Sequence, residues 1–413
     1  MLKPLADLRI VELAAFVPAP LCGLNLARLG AEVIRIDPIG GGADANRWPL
    51  APGGASLYWQ GLNKGKKSLA LNLSTDEGRE LAIAVATAPG REGGSLVTNF
   101  PPDGFTAHAA LSRRRADMIV VRITGWGDGG PATDATISAS LGVARMSGAP
   151  ELGDAPQATA LPLWDLVAAN HAAFAYVVAE RARHKTGEGT EVRVALADIA
   201  LVTLADLGMV ADAVISGTDR PRLGNQFYGG FGRDFVTADG VAVLIMALTR
   251  RHWTDLVKAL SLGDQIDALQ RSLGVDFAAD ESARFNHRNA LNAMVGRAVS
   301  QIDSARLTEA FAGSAVPWVP YKSLGEALRD DAIMARFSSL LFPVSHPGAL
   351  TYPTPGAPAV FDAVEREPPL PAPRLGEHTD EVLSAVLGLS DTQIGRLHDA
   401  GIAAVPVRPR GQA

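Results

Sequence analysis

The chain has 413 residues, 47% of them hydrophobic, enough to bury the core of one large or two medium domains. A formal charge of −6, with lysines and arginines scattered apart from Arg113, Arg114 and Arg115, excludes an extended nucleic-acid surface. The single cysteine, Cys22, rules out an internal disulfide and a CxxC metal site and suits a reducing cytosol, so a cytoplasmic protein is expected, with no signal peptide and no membrane span.

In chain order, LRIVEL (8–13) reads as a buried strand, 21–29 as a helix and AEVIRID (31–37) as a second strand, a βαβ opening. Short apolar runs at SLALNL (68–73), SLVTNF (95–100) and DMIVVRITG (117–125) alternate with helical stretches at 75–88 and 105–115. The predicted fold class is therefore α/β, with a doubly wound, mostly parallel Rossmann-like sheet. Leu166, Val167, Phe174, Val177 and Val178 recur at helical spacing and predict a strong helix over 165–184, stopped by Gly187 and Gly189 before the strand TEVRVAL. Helical material to about 217 leads into the glycine-rich RLGNQFYGGFGRDF (222–235) and a hairpin, FVTADGVAVLIMAL, turning at Asp239 and Gly240. We expect a large domain over 1–220, a smaller α+β domain over 221–328, and an arm with C-terminal helices over 329–413 packing back on the large domain. Prolines crowd 343–373 and bar a continuous helix there.

Spacing removes several chemistries. The first strand is followed by AAFVPAPLCG, with two prolines and no early glycine, where a dinucleotide fold needs GxGxxG. GxxxxGK[ST], GxSxG and HExxH are absent, and the eight histidines lack metal-ligand spacing, so no metal is expected. His171 and His184, on the predicted long helix, read as packed or solvent-facing residues. Asp165 stands out in LPLWDLVAANH, an acid between Trp164 and Leu166 where that helix begins. Taken alone, it reads as an N-cap contributing roughly 1 kcal/mol.

The motifs LADLRIVELAAFVPAPLCG, NKGKKSLALNLSTDEGRE, VTNFPPDGF, ITGWGDGGPATD, LPLWDLVAANHAAFAYVVAERARHKTGEGTEVRVALAD and PAPRLGEHTDEVLSAVLGLS, spread in this order over nearly the whole chain, resemble the family III CoA transferases of the CaiB/BaiF type. The resemblance implies that Asp165 is a nucleophile. Its carboxylate attacks an acyl-CoA thioester to form an anhydride, and the freed CoA thiolate then leaves an aspartyl-CoA thioester. Both intermediates hydrolyse in water, a need that Leu163, Trp164 and Leu166 suit.

The resemblance also implies CoA, part of the substrate and not a tightly bound cofactor, lying over the carboxyl ends of the strands. The matching positions are Val17, Pro18, Leu71, Asn72, Leu73, Ser74, Asn99, Phe100 and Pro101, although relatives carry glutamine where this chain has Val17. Arg35, Arg47, Lys64, Lys66 and Lys67 are candidate phosphate contacts. Gly229, Gly230 and Gly232 match a loop that covers the site and offers N–H groups to oxyanions. Thr133 stands where the family's racemases use a histidine, and threonine is no base near neutral pH. DPIGGGADANRWP, GLNKGKKS and TDRPRLGNQFYGGFGRDF resemble members that move CoA between the C1 and C4 carboxyls of one branched, unsaturated dicarboxylate. Arg233, Arg220, Arg222 and Arg47 are candidates for clamping the second carboxylate. Transfer between an acyl-CoA and a separate acid is the alternative. The implied partners are thus acyl-CoA and dicarboxylate substrates, with an interlocked homodimer as the assembly.

Overall fold

A computed structural model describes residues 3–362 and 366–406. Strands β1 (Arg9–Leu13), β2 (Glu32–Pro38), β3 (Lys67–Leu71), β4 (Ser95–Thr98), β5 (Ile119–Thr124) and β6 (Thr190–Ala195) are mutually parallel. β7 (Phe231–Val236), β8 (Ala242–Ala247) and β9 (Trp318–Pro320) make a separate antiparallel sheet, and β10 (Leu341–Ser345) and β11 (Thr351–Pro355) pair as a hairpin inside the proline-rich arm. Finally, β12 (Ala403–Ala404) joins β3 antiparallel, so the central sheet reads β12-β3-β2-β1-β4-β5-β6. The α/β class follows from apolar runs buried along nearly all of β1 to β5, as helices on both faces of a parallel sheet require.

The chain divides into two compact units. The first takes the stretches up to Leu141, Ala160–Ala211 and from Arg336 onward; the second takes Gly142–Thr159 and Asp212–Ala335. In the first, Val382, Leu383, Ile394 and Leu397 of the helices Thr379–Leu387 and Asp391–Asp399 join the core of the sheet, so the C-terminal segment returns to it. The second packs Trp253, Leu256, Leu291, Val295 and Leu307 of its helices on Phe231, Val243 and Ile245 of its own sheet.

Sheet order places the topological switch between β1 and β4, since the chain runs outward through β2 and β3 before returning beside β1. Crevices outside the carboxyl ends at such a point are where open α/β sheets bind ligands. Here Asn99, just past β4, clamps Ala15, just past β1: its Oδ1 accepts from the Ala15 N–H at 3.2 Å and its Nδ2 donates to the Ala15 carbonyl at 2.9 Å.

The helix Leu163–Thr186 matches the expected one and turns inward a face that its most apolar residues do not mark. It buries Trp164, Ala168, Ala169, Ala172, Tyr176 and Ala179, whereas Phe174, Val177 and Val178 are exposed, Phe174 by 70%. Small side chains let it approach the helix Pro18–Arg28, and the Tyr176 hydroxyl meets Ser95 Oγ at 3.0 Å on the first residue of β4. Spacing alone identified an apolar stripe; the slot beside the sheet admits only the alanine-rich one.

Beneath the carboxyl edge lies a buried ion network. Arg35 of β2 donates to Asp37 at 2.9 Å, to Asp44 at 3.1 Å and to Glu12 at 3.2 Å, all four side chains being at most 2% exposed. Lys66 donates to Glu12 at 2.8 Å, to the Pro20 carbonyl at 2.8 Å and to Asn63 at 2.9 Å. Burial holds the Asp37 carboxyl above its ordinary value despite Arg35, and pulls the Lys66 ammonium down to about 8 despite Glu12. A Cβ on Gly23 would fall 2.0 Å from Glu12 Oε2, which is why the neighbouring helix carries glycine there. Removing one partner from such a network strands buried charge. Arg35→Met is therefore expected to cost about 3–5 kcal/mol in chemical denaturation followed by tryptophan fluorescence. Arg114→Gln, which breaks the exposed pair with Glu80, is expected to cost at most about 1 kcal/mol.

Candidate active site

Asp165 is the third residue of its helix, not its cap: the cap position is Pro162, which has no side-chain donor or acceptor to offer. The capping group comes from elsewhere. Asp134 Oδ2 accepts from the Trp164 N–H at 2.5 Å and from the Asp165 N–H at 3.4 Å. Asp134 opens the helix Asp134–Ser140, itself fixed by a capping box in which Thr133 and Thr136 exchange hydrogen bonds. The buried Trp164 indole donates to Ser138 Oγ at 2.8 Å on the same helix. Two turns of helix thus hold the N-terminus that carries Asp165. A carboxylate there satisfies orphan N–H groups and favours the helix dipole.

The Asp165 carboxyl is half-buried, and its pKa is raised to about 6, first by burial and then by the negative charge of Asp134, with Arg47 opposing both. It is anionic through most of the neutral range yet closer to protonation than an ordinary aspartate. Arg47 is the cation nearest in effect. Its guanidinium lies over the Phe16 ring at 5.5 Å and the Tyr58 ring at 5.2 Å, and it makes no ion pair among the described residues. Burial raises the Tyr58 pKa, and the Asp165 charge adds to the shift, which puts this phenol in the same electrostatic neighbourhood.

The loops that carry these groups are tied to one another. Phe16 adopts φ +66°, a conformation that costs a non-glycine residue energy. Its N–H donates to Asp44 Oδ2 at 3.0 Å. The Asp44 carbonyl accepts from the Arg47 N–H at 3.2 Å, and the Arg47 carbonyl accepts from Ser56 Oγ at 2.5 Å, the N-cap of the helix Leu57–Asn63 that bears Tyr58.

Of the residues read from sequence, Val17 and Pro18 begin the helix after β1, Leu71 closes β3, and Asn72, Leu73 and Ser74 follow it. Asn72 also donates its N–H to the Ile402 carbonyl at 2.8 Å, and Ser74 Oγ donates to Asn72 Oδ1 at 2.5 Å. Phe100 and Pro101 follow β4, their carbonyls held by the buried Arg122 at 2.7 and 3.0 Å. All therefore stand at the carboxyl edge of the parallel sheet, as does Arg47. Arg35 and Lys66 do not serve as phosphate contacts: both are buried, and the carboxylates of Glu12, Asp37 and Asp44 consume their charges. Lys64 is buried with its ammonium on the Gly61 carbonyl, and Lys67 is paired with Glu32 and Glu381.

Gly229, Gly230 and Gly232 belong to the second unit, where Gly232 lies inside β7 opposite Met246 and so is part of a strand. In that unit Arg222 is spent on the carbonyls of Ala144, Arg145 and Ala155, Arg220 stacks on Tyr228 at 3.9 Å, and Arg233 donates to the Asp234 carbonyl. His171 and His184 are exposed along the long helix. Sequence reasoning passed over Asp134, Tyr58 and Asp44. The ATDAT and GGADANRW segments that hold two of them were in view, but their side chains act on residues 28 to 31 positions away.

A sequence model described as CoA-transferase family III matches residues 5–379. A 2-methylfumaryl-CoA isomerase from Chloroflexus aurantiacus is 44% identical over 98% of this chain and 98% of its own. A succinyl-CoA:mesaconate CoA-transferase from Haloarcula marismortui is 30% identical over 92% of this chain and 95% of its own. The crystal structure of a CaiB/BaiF family protein from Brucella suis shares the fold with a TM-score of 0.75, at 24% identity, over 94% of this chain and all of that one.

A carboxyl whose folded pKa exceeds its unfolded value binds its proton more tightly when folded. Its stabilisation is complete below the unfolded value near 4 and is lost as pH rises through about 6. Asp165→Asn is thus expected to melt above the parent at pH 7 in scanning calorimetry, with the gap closing towards pH 4. A gap independent of pH would contradict the raised pKa.

Proposed function

The chain belongs to CoA-transferase family III, and on that premise we propose that it moves CoA between the C1 and C4 carboxyls of 2-methylfumarate (mesaconate) through a thioester on Asp165. It is a CoA-transferring enzyme, and the reading of its substrate rests on the 44% identity with 2-methylfumaryl-CoA isomerase over nearly the full length of both chains. Support for the chemistry comes from Asp165 at a helix start, with Arg47, which makes no ion pair among the described residues, favouring its anion.

In the proposed cycle the Asp165 carboxylate attacks the C1 thioester carbonyl and expels CoA thiolate, leaving an acyl-aspartyl anhydride. The thiolate then attacks the aspartyl carbonyl of that anhydride, and the substrate departs as its free carboxylate. The C4 carboxylate attacks the aspartyl-CoA thioester and expels the thiolate again. Attack of this thiolate at C4 regenerates Asp165 and releases the isomeric CoA ester. No proton is gained or lost and no ATP is consumed, because every intermediate keeps an activated acyl group. The free diacid must stay while it reorients. Arg47 is suited to hold its second carboxylate by charge-assisted hydrogen bonds. Thr133, occupied in its helix cap, supplies no base for α-proton transfer, which supports transfer over racemisation.

CoA is proposed to lie over Val17, Pro18, Asn72 to Ser74 and Asn99 to Pro101, with Arg47 as the cation of that edge. The assembly is proposed to be a cytoplasmic homodimer, threaded as the family resemblance implies. The exposed Phe174, Val178, Val202 and Leu207 give it an apolar surface to bury.

Incubation with mesaconyl-C1-CoA and no added acid is expected to yield the C4 isomer without exchange of labelled free mesaconate; dependence on an added acceptor acid would show intermolecular transfer instead. Asp165→Ala is expected to lose roughly 10³-fold or more in turnover, as nucleophile deletions do. Hydroxylamine trapping during turnover should label Asp165, seen by peptide mass, and full turnover in Asp165→Ala would overturn the assignment.

A further inference from the structure

We infer that Asp44 is a positioning residue for the transfer reaction, a strut that ties the buried ion network to the Phe16–Arg47 stack and so sets where Arg47 stands against Asp165. The inference rests on the proposed role of Asp165.

Asp44 is 1% exposed and meets nothing at the surface, yet its two ends face different tasks. Both carboxylate oxygens accept from Arg35 Nη2, at 3.1 and 3.2 Å, which anchors the side chain to β2. The second oxygen also accepts from the Phe16 N–H at 3.0 Å, and the residue's own carbonyl accepts from the Arg47 N–H at 3.2 Å. One residue therefore holds both partners of a cation–aromatic contact, the Phe16 ring and the Arg47 guanidinium, 5.5 Å apart.

Two observations set this apart from ordinary loop packing. Phe16 is held at φ +66°, which persists only where surrounding contacts over-determine it. The clamp of Asn99 on Ala15 from one side and Asp44 on Phe16 from the other supply that constraint. The network also carries three carboxylates, Glu12, Asp37 and Asp44, against two cations, Arg35 and Lys66. Two acids already match the two cations in number, so charge balance alone does not explain an acceptor at position 44. The N–H of Phe16 does, since it needs an acceptor that stays on Arg35. Without the strut, Phe16 relaxes towards φ < 0, its ring leaves the guanidinium, and Arg47 swings towards solvent on its flexible stem.

The test compares Asp44→Ala, Asp44→Asn and Arg47→Met, alone and combined. Asp44→Ala is expected to lower kcat/KM for mesaconyl-CoA by about tenfold or more, as misplacement of an orienting group does. It is also expected to shift the acid limb of the pH profile upward, because Arg47 no longer favours the Asp165 anion. Asp44→Asn keeps an oxygen for the Phe16 N–H and should restore most of the rate. Arg47→Met should shift the limb in the same direction, and adding Asp44→Ala to it should shift the limb no further. A purely structural role would lower the melting temperature and leave the limb in place; that result, or additive effects in the double variant, would overturn the inference. If the parent itself fails to isomerise mesaconyl-CoA, the transferase reading falls, and the strut is read without activity. The pH window in which the parent and D165N differ in melting temperature should then move up in Asp44→Ala, and an unmoved window would refute it.

Discussion

Arg35 is the constraint on which the carboxyl edge depends. One guanidinium, anchored on β2, satisfies Glu12 on β1, Asp37 on its own strand and Asp44 on the following loop. Because a buried charge must be fully compensated, each of these acids is fixed in place by the same demand. The order of the sheet brings the acids together, and the acids then order the loops above it. Helices on both sides shield the arrangement from water, which is what gives the ionic contacts their strength and what makes them unforgiving of substitution.

Around Asp165 the electrostatics are balanced between opposing needs. The attack proposed for it requires an anion, yet a carboxylate that is too well stabilised is a poor nucleophile. Burial and Asp134 push the pKa up while Arg47 pulls the other way, and the outcome lies near 6. Asp134 contributes to both sides. It opposes the charge on Asp165 while fixing the Asp165 backbone, so the residue that unsettles the anion also immobilises it.

Much of this was legible in the chain itself. Parallel strands buried on both faces read as continuous apolar runs, and β1 to β5 were found within a residue or a few of their ends. Asp165 was visible because its neighbours and the wider motif set mark the position. What escaped has a common physical origin. Whether Arg35 and Lys66 face solvent or acids depends on Glu12 and Asp44, which lie 9 to 54 positions away. The inward face of the long helix was not legible, because Phe174, Val177 and Val178 are more hydrophobic than the alanines that the narrow slot selects. The cap on that helix was assigned to Asp165, whereas Asp134, 31 positions earlier, provides it.

The closing strand β12 has a consequence for how the protein is made. Asn72 donates to carbonyls of Gly401 and Ile402, the former 329 residues later in the chain. At synthesis rates of roughly 5–20 residues per second, the edge of β3 waits on the order of 15–65 s before its partner exists. Through that interval an apolar strand offers open N–H and C=O groups to any other chain nearby. The loop proposed to receive the coenzyme is thus among the last features to form, and the period of greatest risk in the nascent chain ends only when the segment around Ile402 arrives.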